Sequence, residues 1–382
     1  MKKVVLGLIL ELNPFHKGHK YFIETVKEKL NPSLTVAVVS SSFTMRGEVS
    51  VLDKFTKAKL LSSLGVDLVL ELPFVYSNNS ADFFAYHSVK ILNEAGITHL
   101  AFGSESGNIE DLIKIKDITK TDFYNLSLKK YLDMGYSYPN SSLKAFLESS
   151  DNIDLVNNFS LPNNSLAISY LNAIDKINKD ITPFTIFRKD NNFFDEDVKE
   201  NSLASAKAIR KMIDDGNIVK DHVFYDYDFI SQSKVNDELF KILKYNLITK
   251  DISLIKGVSE GIDKRLLSFI DAPSYDSFID NVKTRRYTEN RIKRLILNII
   301  FDIKDDYNTD SIYLRCLYSN KNGINQLKNK NVITNISKIN KIEDDTLLKI
   351  INKELEITKI YDLVTNKNIY QEEFKFTVEK WK

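Results

Sequence analysis

In the stretch Asn13-Pro14-Phe15-His16-Lys17-Gly18-His19, two imidazoles stand two and one residues away from a glycine. Imidazole N–H groups can donate to phosphate oxygens. A His-x-Gly-His cluster can therefore hold the charge that develops when an α-phosphate is attacked and pyrophosphate leaves. Gly18 lets a nucleotide lie close to the main chain, because no Cβ obstructs it. The same residues suit phosphate best at the start of a helix, where unpaired N–H groups and the positive end of the dipole point outward. A helix-capping loop with incidental histidines would show the same tetrapeptide. A zinc site fits less well: the spacing is not the i, i+4 of a helical pair, and no cysteine or third histidine is near.

Three further constellations carry chemistry. Ser205-Ala206-Lys207-Ala208-Ile209-Arg210 resembles the late Ser-x-x-x-Ile-Arg signature of the nucleotidyltransferase superfamily. There Arg210 would hold β- and γ-phosphate charge through paired hydrogen bonds, with Ser205 at the helix start. Phe102-Gly103-Ser104-Glu105 offers a glycine against which an adenine or ribose can lie flat; a plain turn glycine would read the same way. Lys283-Thr284-Arg285-Arg286-Tyr287-Thr288-Glu289-Asn290-Arg291-Ile292-Lys293-Arg294 holds six basic residues and one acid. That is the electrostatic footprint of a nucleic-acid-binding helix, although a charge run is more often only a solvated face.

These residues need elements to bring them together. Val4–Leu10 is a continuous apolar run, as expected of a parallel strand covered on both faces, and the histidine motif follows it directly. Helical spacing then runs from Gly18 to about Leu30. Strands are predicted at Leu34–Val39, Val66–Leu70, His99–Phe102 and Thr182–Arg188, and helices at Asp53–Leu64, Ala81–Ala95 and Leu203–Ile213. Amphipathic helix fills most of Glu110–Asn158, and Pro162-Asn163-Asn164 opens another helix. Alternation of this kind predicts βαβ units and a parallel sheet, with ligands beyond the carboxyl ends of the strands. His16, His19, Arg46, Glu71 and Gly103-Ser104-Glu105 should converge there. After about Asp228 long helical patterns take over, and a smaller mixed unit begins at Ser311–Leu317. The expected division is residues 1–228 and 229–382, with the boundary near Tyr225–Ser231.

Composition narrows the classes. The chain has 382 residues, enough for two buried cores, with 43% apolar and 27% charged residues and a net charge of +1. There is no global basic field, so any nucleic-acid contact must be local. The single cysteine, Cys316, excludes an internal disulfide or a cysteine-based metal cluster. No apolar stretch approaches the roughly 20 residues needed to span a bilayer, and the N-terminal run lacks a cleavage site. A cytoplasmic enzyme with no membrane and no DNA partner is expected.

Taken in order, Gly7–His19, Ser42-Phe43-Thr44-Met45-Arg46-Gly47-Glu48, Val66–Pro73, Gly103-Ser104-Glu105, Pro162-Asn163-Asn164, Ser205–Arg210, Lys283–Arg294 and Tyr313-Leu314-Arg315 resemble the bacterial tRNA(Met) cytidine acetate ligase family. The resemblance implies a Rossmann-like, HxGH-type nucleotidyltransferase α/β domain followed by a mainly helical domain that binds tRNA. It implies that acetate and ATP, with Mg²⁺ carried by ATP and no protein-held metal, give acetyl-adenylate. The acetyl group then passes to N4 of the wobble cytidine in the anticodon of elongator tRNA(Met). The catalytic residues would be His16, His19 and Arg210. ATP would lie along Ile9–Phe22, against Ile9, Leu10, Glu11, Asn13, Pro14, Phe15, His16, Gly18, His19 and Phe22, with Gly103, Asn163, Asn164, Arg188, Ser205 and Arg210 completing the site. Lys283, Arg285, Arg286, Arg291 and Arg294 would meet RNA. Two departures stand out: Ser40-Ser41-Ser42-Phe43 where a Ser-Gly-x-Phe pattern is typical, and His87-Ser88 where small residues are usual. A small-molecule adenylyltransferase would share the N-terminal motifs but leave Lys283–Arg294 unexplained. A non-catalytic RNA-binding protein would not need His16, Gly18, His19 and Arg210 intact.

Overall fold

The computed structural model describes residues 3–188, 204–307, 309–328 and 330–375. Strands β1 (Val5–Leu10), β2 (Leu34–Ser40), β3 (Leu68–Leu72), β4 (His99–Ser104) and β5 (Thr182–Phe187) are parallel neighbours in the order β5-β4-β1-β2-β3. The central strands are apolar on both faces because helices cover both sides of the sheet. Leu6, Leu8, Val36, Val38, Leu68 and Leu70 are all fully buried. The chain winds outward from β1 through β2 to β3, then returns to the other side of β1 for β4. That reversal opens a crevice at the carboxyl ends of β1 and β4, where open α/β sheets bind ligands.

Local signals set the helices. His16, Asp53, Ser80 and Ser205 cap the helices Lys17–Leu30, Lys54–Ser63, Ala81–Glu94 and Ala206–Asp214, each side chain accepting from a first-turn N–H. Leu203, where the sequence reading starts the last of these, lies outside the described residues. β4 runs two residues past Phe102, and Arg188 falls just beyond β5, its N–H donating to the Ser104 carbonyl at 3.0 Å.

The C-terminal half is mainly helical, yet it does not stay clear of the sheet. β6 (Leu314–Ser319) pairs antiparallel with β3, and β7 (Val332–Ile333) pairs parallel with β6. The Ser311–Leu317 unit thus covers the β3 edge, which would otherwise expose unpaired main-chain groups. Its burial rests on an ionic cluster. Lys54 reaches Glu71 at 2.5 Å and also pairs with Glu373, while Arg315 meets Glu373 at 3.0 Å, all four fully or almost fully buried. Glu354 accepts from the Phe74 N–H at 2.6 Å, and Tyr361 donates to the Ser50 carbonyl at 3.1 Å. Through these contacts the helices Asp345–Thr365 and Ile369–Lys375 hold the segments that follow β2 and β3. One apolar core runs through both halves, from Val5 to Ile369. Among the described residues no helix is long and apolar enough to cross a membrane.

Candidate active site

β1 delivers the first loop to the crevice, and the loop ends in the His16 cap. His16 Nδ1 accepts from the Gly18 N–H at 3.0 Å, and His19 Nδ1 accepts from the His16 N–H at 3.3 Å. The two rings lie 3.9 Å apart. An imidazole that accepts at Nδ1 must carry its proton on Nε2, so the capping box fixes the tautomer of both rings and leaves each with an Nε2–H donor. Burial, then His16, then Arg188 hold the His19 pKa well below the usual imidazole value, so His19 is neutral at physiological pH. Phe15 is fully buried and edges onto both His19 and Phe224, which fixes the turn from beneath. Leu10, Asn13 and Pro14 are also buried; Ile9, Glu11, Gly18, His19 and Phe22 are only half-buried.

The second loop is a hairpin after β2. Phe43 bridges Val49, and the Thr44 N–H donates to the Glu48 carbonyl at 2.9 Å. It is tied to the first loop at three points: Met45 N–H to Glu11 Oε1 at 2.7 Å, Val51 N–H to Asn13 Oδ1 at 2.9 Å, and Asn13 Nδ2 to the Val49 carbonyl at 3.3 Å. Arg210 closes the arrangement. Its Nη1 donates to the Asn13 carbonyl at 2.7 Å and its Nη2 meets Glu48 Oε2 at 3.2 Å. Arg46 sits within electrostatic reach of Glu48, Glu11, Arg210 and Arg188, and burial lowers its pKa. Three guanidinium groups and two carboxylates therefore cluster at one edge of the crevice, with Arg188 within electrostatic reach of His19. That is a cationic pocket of the kind that receives a polyphosphate. Beneath it, the wholly buried Lys57 donates to the carbonyls of Ser40 and Ser41 at 2.8 and 3.0 Å, and burial pulls its pKa down to about 7. The serines that replace the usual glycine pattern are thus fixed from below.

The far wall is the end of β4. The Glu105 carboxylate accepts from Asn163 N–H at 3.0 Å, Asn163 Nδ2 at 2.6 Å and Asn164 N–H at 2.8 Å, placing an anion at the start of the Pro162–Ile177 helix. The two asparagines have different work. Asn164 is fully buried; its Oδ1 accepts from the Glu105 and Ser106 N–H groups at 2.9 and 3.2 Å, and its Nδ2 donates to the Asn158 carbonyl at 2.9 Å. Asn163 is half-buried and accepts from Arg188 Nη1 at 2.6 Å. Arg188 lies directly over Gly103: a Cβ there would come within 2.9 Å of Arg188 Cγ and 4.0 Å of Phe22. Ser205 is turned into its own helix, accepting from the Ala208 N–H at 3.1 Å.

The structure thus gathers His16, His19, Glu11, Asn13, Phe22, Gly103, Asn163, Arg188 and Arg210 around one crevice. Sequence reasoning placed Arg46 in a converging loop without assigning it to the site, and it passed over Glu48 and Lys57. The basic residues within Ser42–Glu48 and Asp53–Leu64 were visible, but nothing local marked which of them turn inward.

The basic segment divides in two. Lys283, Arg285 and Arg286 are exposed; Arg285 stacks on Tyr136 with its guanidinium carbon 3.3 Å from the ring centroid, and Arg291 lies 4.0 Å from the Tyr287 ring. Arg294 does not extend that exposed stripe. Its Nη1 donates to the Met45 carbonyl at 3.3 Å and burial lowers its pKa to about 10. Lys293 approaches Glu48 Oε1 at 3.8 Å. This end of the Glu289–Ile300 helix faces the second loop, so the segment is not separate from the site as its position in the chain suggests.

Comparison with known proteins gives a consistent likeness. A model described as HIGH Nucleotidyl Transferase matches residues 1–376. The tRNA(Met) cytidine acetate ligase of Clostridium novyi is 34% identical over 398 residues, covering 97% of this chain and 98% of its own. That of Clostridium acetobutylicum is 35% identical, covering 96% of each chain. The crystal structure of Thermotoga maritima TmcAL in an apo form superimposes with a TM-score of 0.87 at 29% identity over 95% of both chains, and the form bound with alpha-thio ATP gives 0.84.

Proposed function

The chain belongs to the HIGH nucleotidyl transferase family, and from that premise we propose that it is an ATP-dependent ligase that acetylates N4 of the wobble cytidine in elongator tRNA(Met). The observation that carries the reading is the pair of adjacent histidines whose Nδ1 atoms are both occupied by main-chain N–H groups. Two Nε2–H donors are thereby aimed by one helix cap at the end of β1, beside Arg188 and Arg210. The relatives' names and the ATP analogue bound to the Thermotoga maritima protein support the choice of substrate and nucleotide.

The chemistry follows from the parts. An acetate oxygen attacks the α-phosphorus, the bond to the β-phosphate bridging oxygen breaks, and pyrophosphate leaves. Both histidines donate to the oxygens that gain charge, and the guanidinium groups hold the leaving pyrophosphate. No side chain becomes covalently attached, so the rate comes from positioning and charge. Glu11 and Glu48 are engaged by Met45, Arg210 and Lys293, so Mg²⁺ would arrive on ATP rather than on a carboxylate pair. The adenosine lies against Arg188, which itself covers Gly103, with Asn163 beside it, while Asn164 shapes the loop. In the second step the cytidine N4 attacks the acetyl carbonyl, AMP departs, and the amine loses a proton. Lys283, Arg285, Arg286 and Arg291 meet RNA phosphates, and Arg294 positions the second loop. This activity places the protein in the cytoplasm with tRNA.

The test is acetate-dependent pyrophosphate release in the absence of tRNA. His19→Ala should lower it by about 10²–10³, the usual cost of one lost donor at the transition state. Near-normal release from a folded variant would remove the motif from the site. Release driven instead by a nicotinate- or pantetheine-type substrate would point to a cofactor-making adenylyltransferase.

A further inference from the structure

We propose that the helical hairpin Asp122–Asp133 and Tyr138–Ser149, inserted between β4 and β5, is the second wall of the RNA-binding surface, with Tyr136 at its turn serving as a stacking platform for an unpaired base. The inference rests on the reading of the second substrate as a tRNA.

The hairpin packs on a small separate core, in which Tyr124, Ala145 and Phe146 meet Ile115, Leu155 and Ile168 of the neighbouring helices and Tyr124 bonds Ser142 at 2.6 Å. Tyr136 is outside that core. Its ring is covered by cations instead: the Arg285 guanidinium at 3.3 Å from the centroid and Lys144 Nζ at 5.1 Å. Tyr131 stands edge-on to it at 6.0 Å and carries Lys130 and Lys144 at 4.9 and 5.6 Å. Met134 and Tyr138 flank the turn and are exposed, and the space beside Gly135 is open. A guanidinium lying flat on a tyrosine has the thickness and spacing of a stacked base. RNA loops are recognised by such aromatic and arginine planes. When a base takes the ring, Arg285 is released to the phosphate next to it, in line with the exposed Lys283 and Arg286. The stripe supplies the charge and the hairpin supplies the rings.

Location supports the pairing. The insert that carries the hairpin leaves β4 through the helix Ile109–Thr119 and returns through the helices Ile153–Phe159 and Pro162–Ile177, so the ends of the insert flank the Glu105–Asn163 contact at the crevice. Transfer to a base edge requires the target to leave its stack, and Tyr136, met by Arg285 of the basic segment whose other end reaches the second loop, gives a displaced base a surface to occupy.

The experiment compares Tyr136→Ala and Tyr136→Phe in the full-length enzyme with the triple change of Arg285, Arg286 and Arg291 to Ala. It measures tRNA affinity across a salt titration, with tRNA-free, acetate-dependent pyrophosphate release as the check on folding. Tyr136→Ala should weaken tRNA binding by about 5- to 150-fold, the range for one stacked base. Its salt slope should be unchanged, and Tyr136→Phe should bind normally. If Tyr136→Ala binds as wild type while the triple variant weakens, the platform is overturned and the stripe stands. If neither moves tRNA affinity, both fall. If Tyr136→Ala flattens the salt slope as loss of Arg285 does, the ring is only a prop for the arginine and stacking is refuted. Should Tyr136→Ala lose pyrophosphate release through misfolding, Tyr136→Leu keeps the bulk without the π face and is read by the same outcomes.

Discussion

The two ends of the twelve-residue basic segment Lys283–Arg294 have opposite surroundings. At one end Lys283, Arg285 and Arg286 are exposed, and Arg285 rests on an aromatic ring. At the other, Lys293 and Arg294 are half-buried against the loop that binds Arg210 through Glu48. The difference teaches that a charge run is not a functional unit. The outward end can only act on what arrives from solvent. The inward end sets the geometry of the crevice, and a chain of contacts runs from it: Glu289 to Lys293 at 2.8 Å, Lys293 to Glu48 at 3.8 Å, Glu48 to Arg210 at 3.2 Å, and Arg210 to the Asn13 carbonyl at 2.7 Å.

The comparison breaks most visibly at Gly47. Its φ is +75°, and a Cβ would lie 2.5 Å from the Arg294 nitrogen, so Gly47→Ala must force the hairpin off the helix. A loss of about 2–4 kcal/mol is expected from overpacking combined with left-handed strain. Thermal melting should fall, and both half-reactions with it. An unchanged melt would show that the seam yields. Next in size is Glu48→Gln, which leaves Arg210 and Lys293 without their shared countercharge. Displacing a positioned group by about 1 Å can cost about 10²-fold, so tRNA-free pyrophosphate release should drop on that scale while tRNA affinity holds. Equal loss of both would mean that the inward end also serves RNA.

The outward end gives the reverse pattern. Replacing Arg285, Arg286 and Arg291 together should lower the salt slope of tRNA binding by about 2, at roughly 0.7 per contact with single-stranded RNA, and leave acetyl-adenylate formation running. Unaltered affinity at every salt concentration would reduce this end to a solvated face. A separate, pH-dependent effect concerns Lys57, under the second loop. Burial holds its folded pKa near 7, below the roughly 10.4 of an unfolded lysine. Between those values the unfolded chain binds more protons, so stability rises with pH, and the penalty is full below pH 7. The melting temperature should therefore climb from pH 7 to 9 in the wild type and stay flatter in Lys57→Met. Parallel curves would mean that Lys57 titrates as an ordinary lysine.

The sequence by itself determined the parts whose causes are local. An apolar run, a polar loop and a helix start are written within residues 4–30, so the strand, the histidine motif and the helix start were legible there, while a capping role for the histidines was only the alternative reading. Also legible were the parallel character of the sheet and the helix opened by Pro162. Tertiary structure decided what depends on residues far apart in the chain. Asn163 and Asn164 are indistinguishable as a dipeptide; one helical step of about 100° turns one into the β4 loop and the other toward Arg188. Arg210 finds Glu48 and Asn13 across more than 160 positions, and β6 finds β3 across about 250, because a buried charge must be paired and a sheet edge must be covered. Periodicity records which face of an element is apolar. It holds no record of which distant element will meet that face, and so the inward turn of Lys293 and Arg294 belonged to the fold alone.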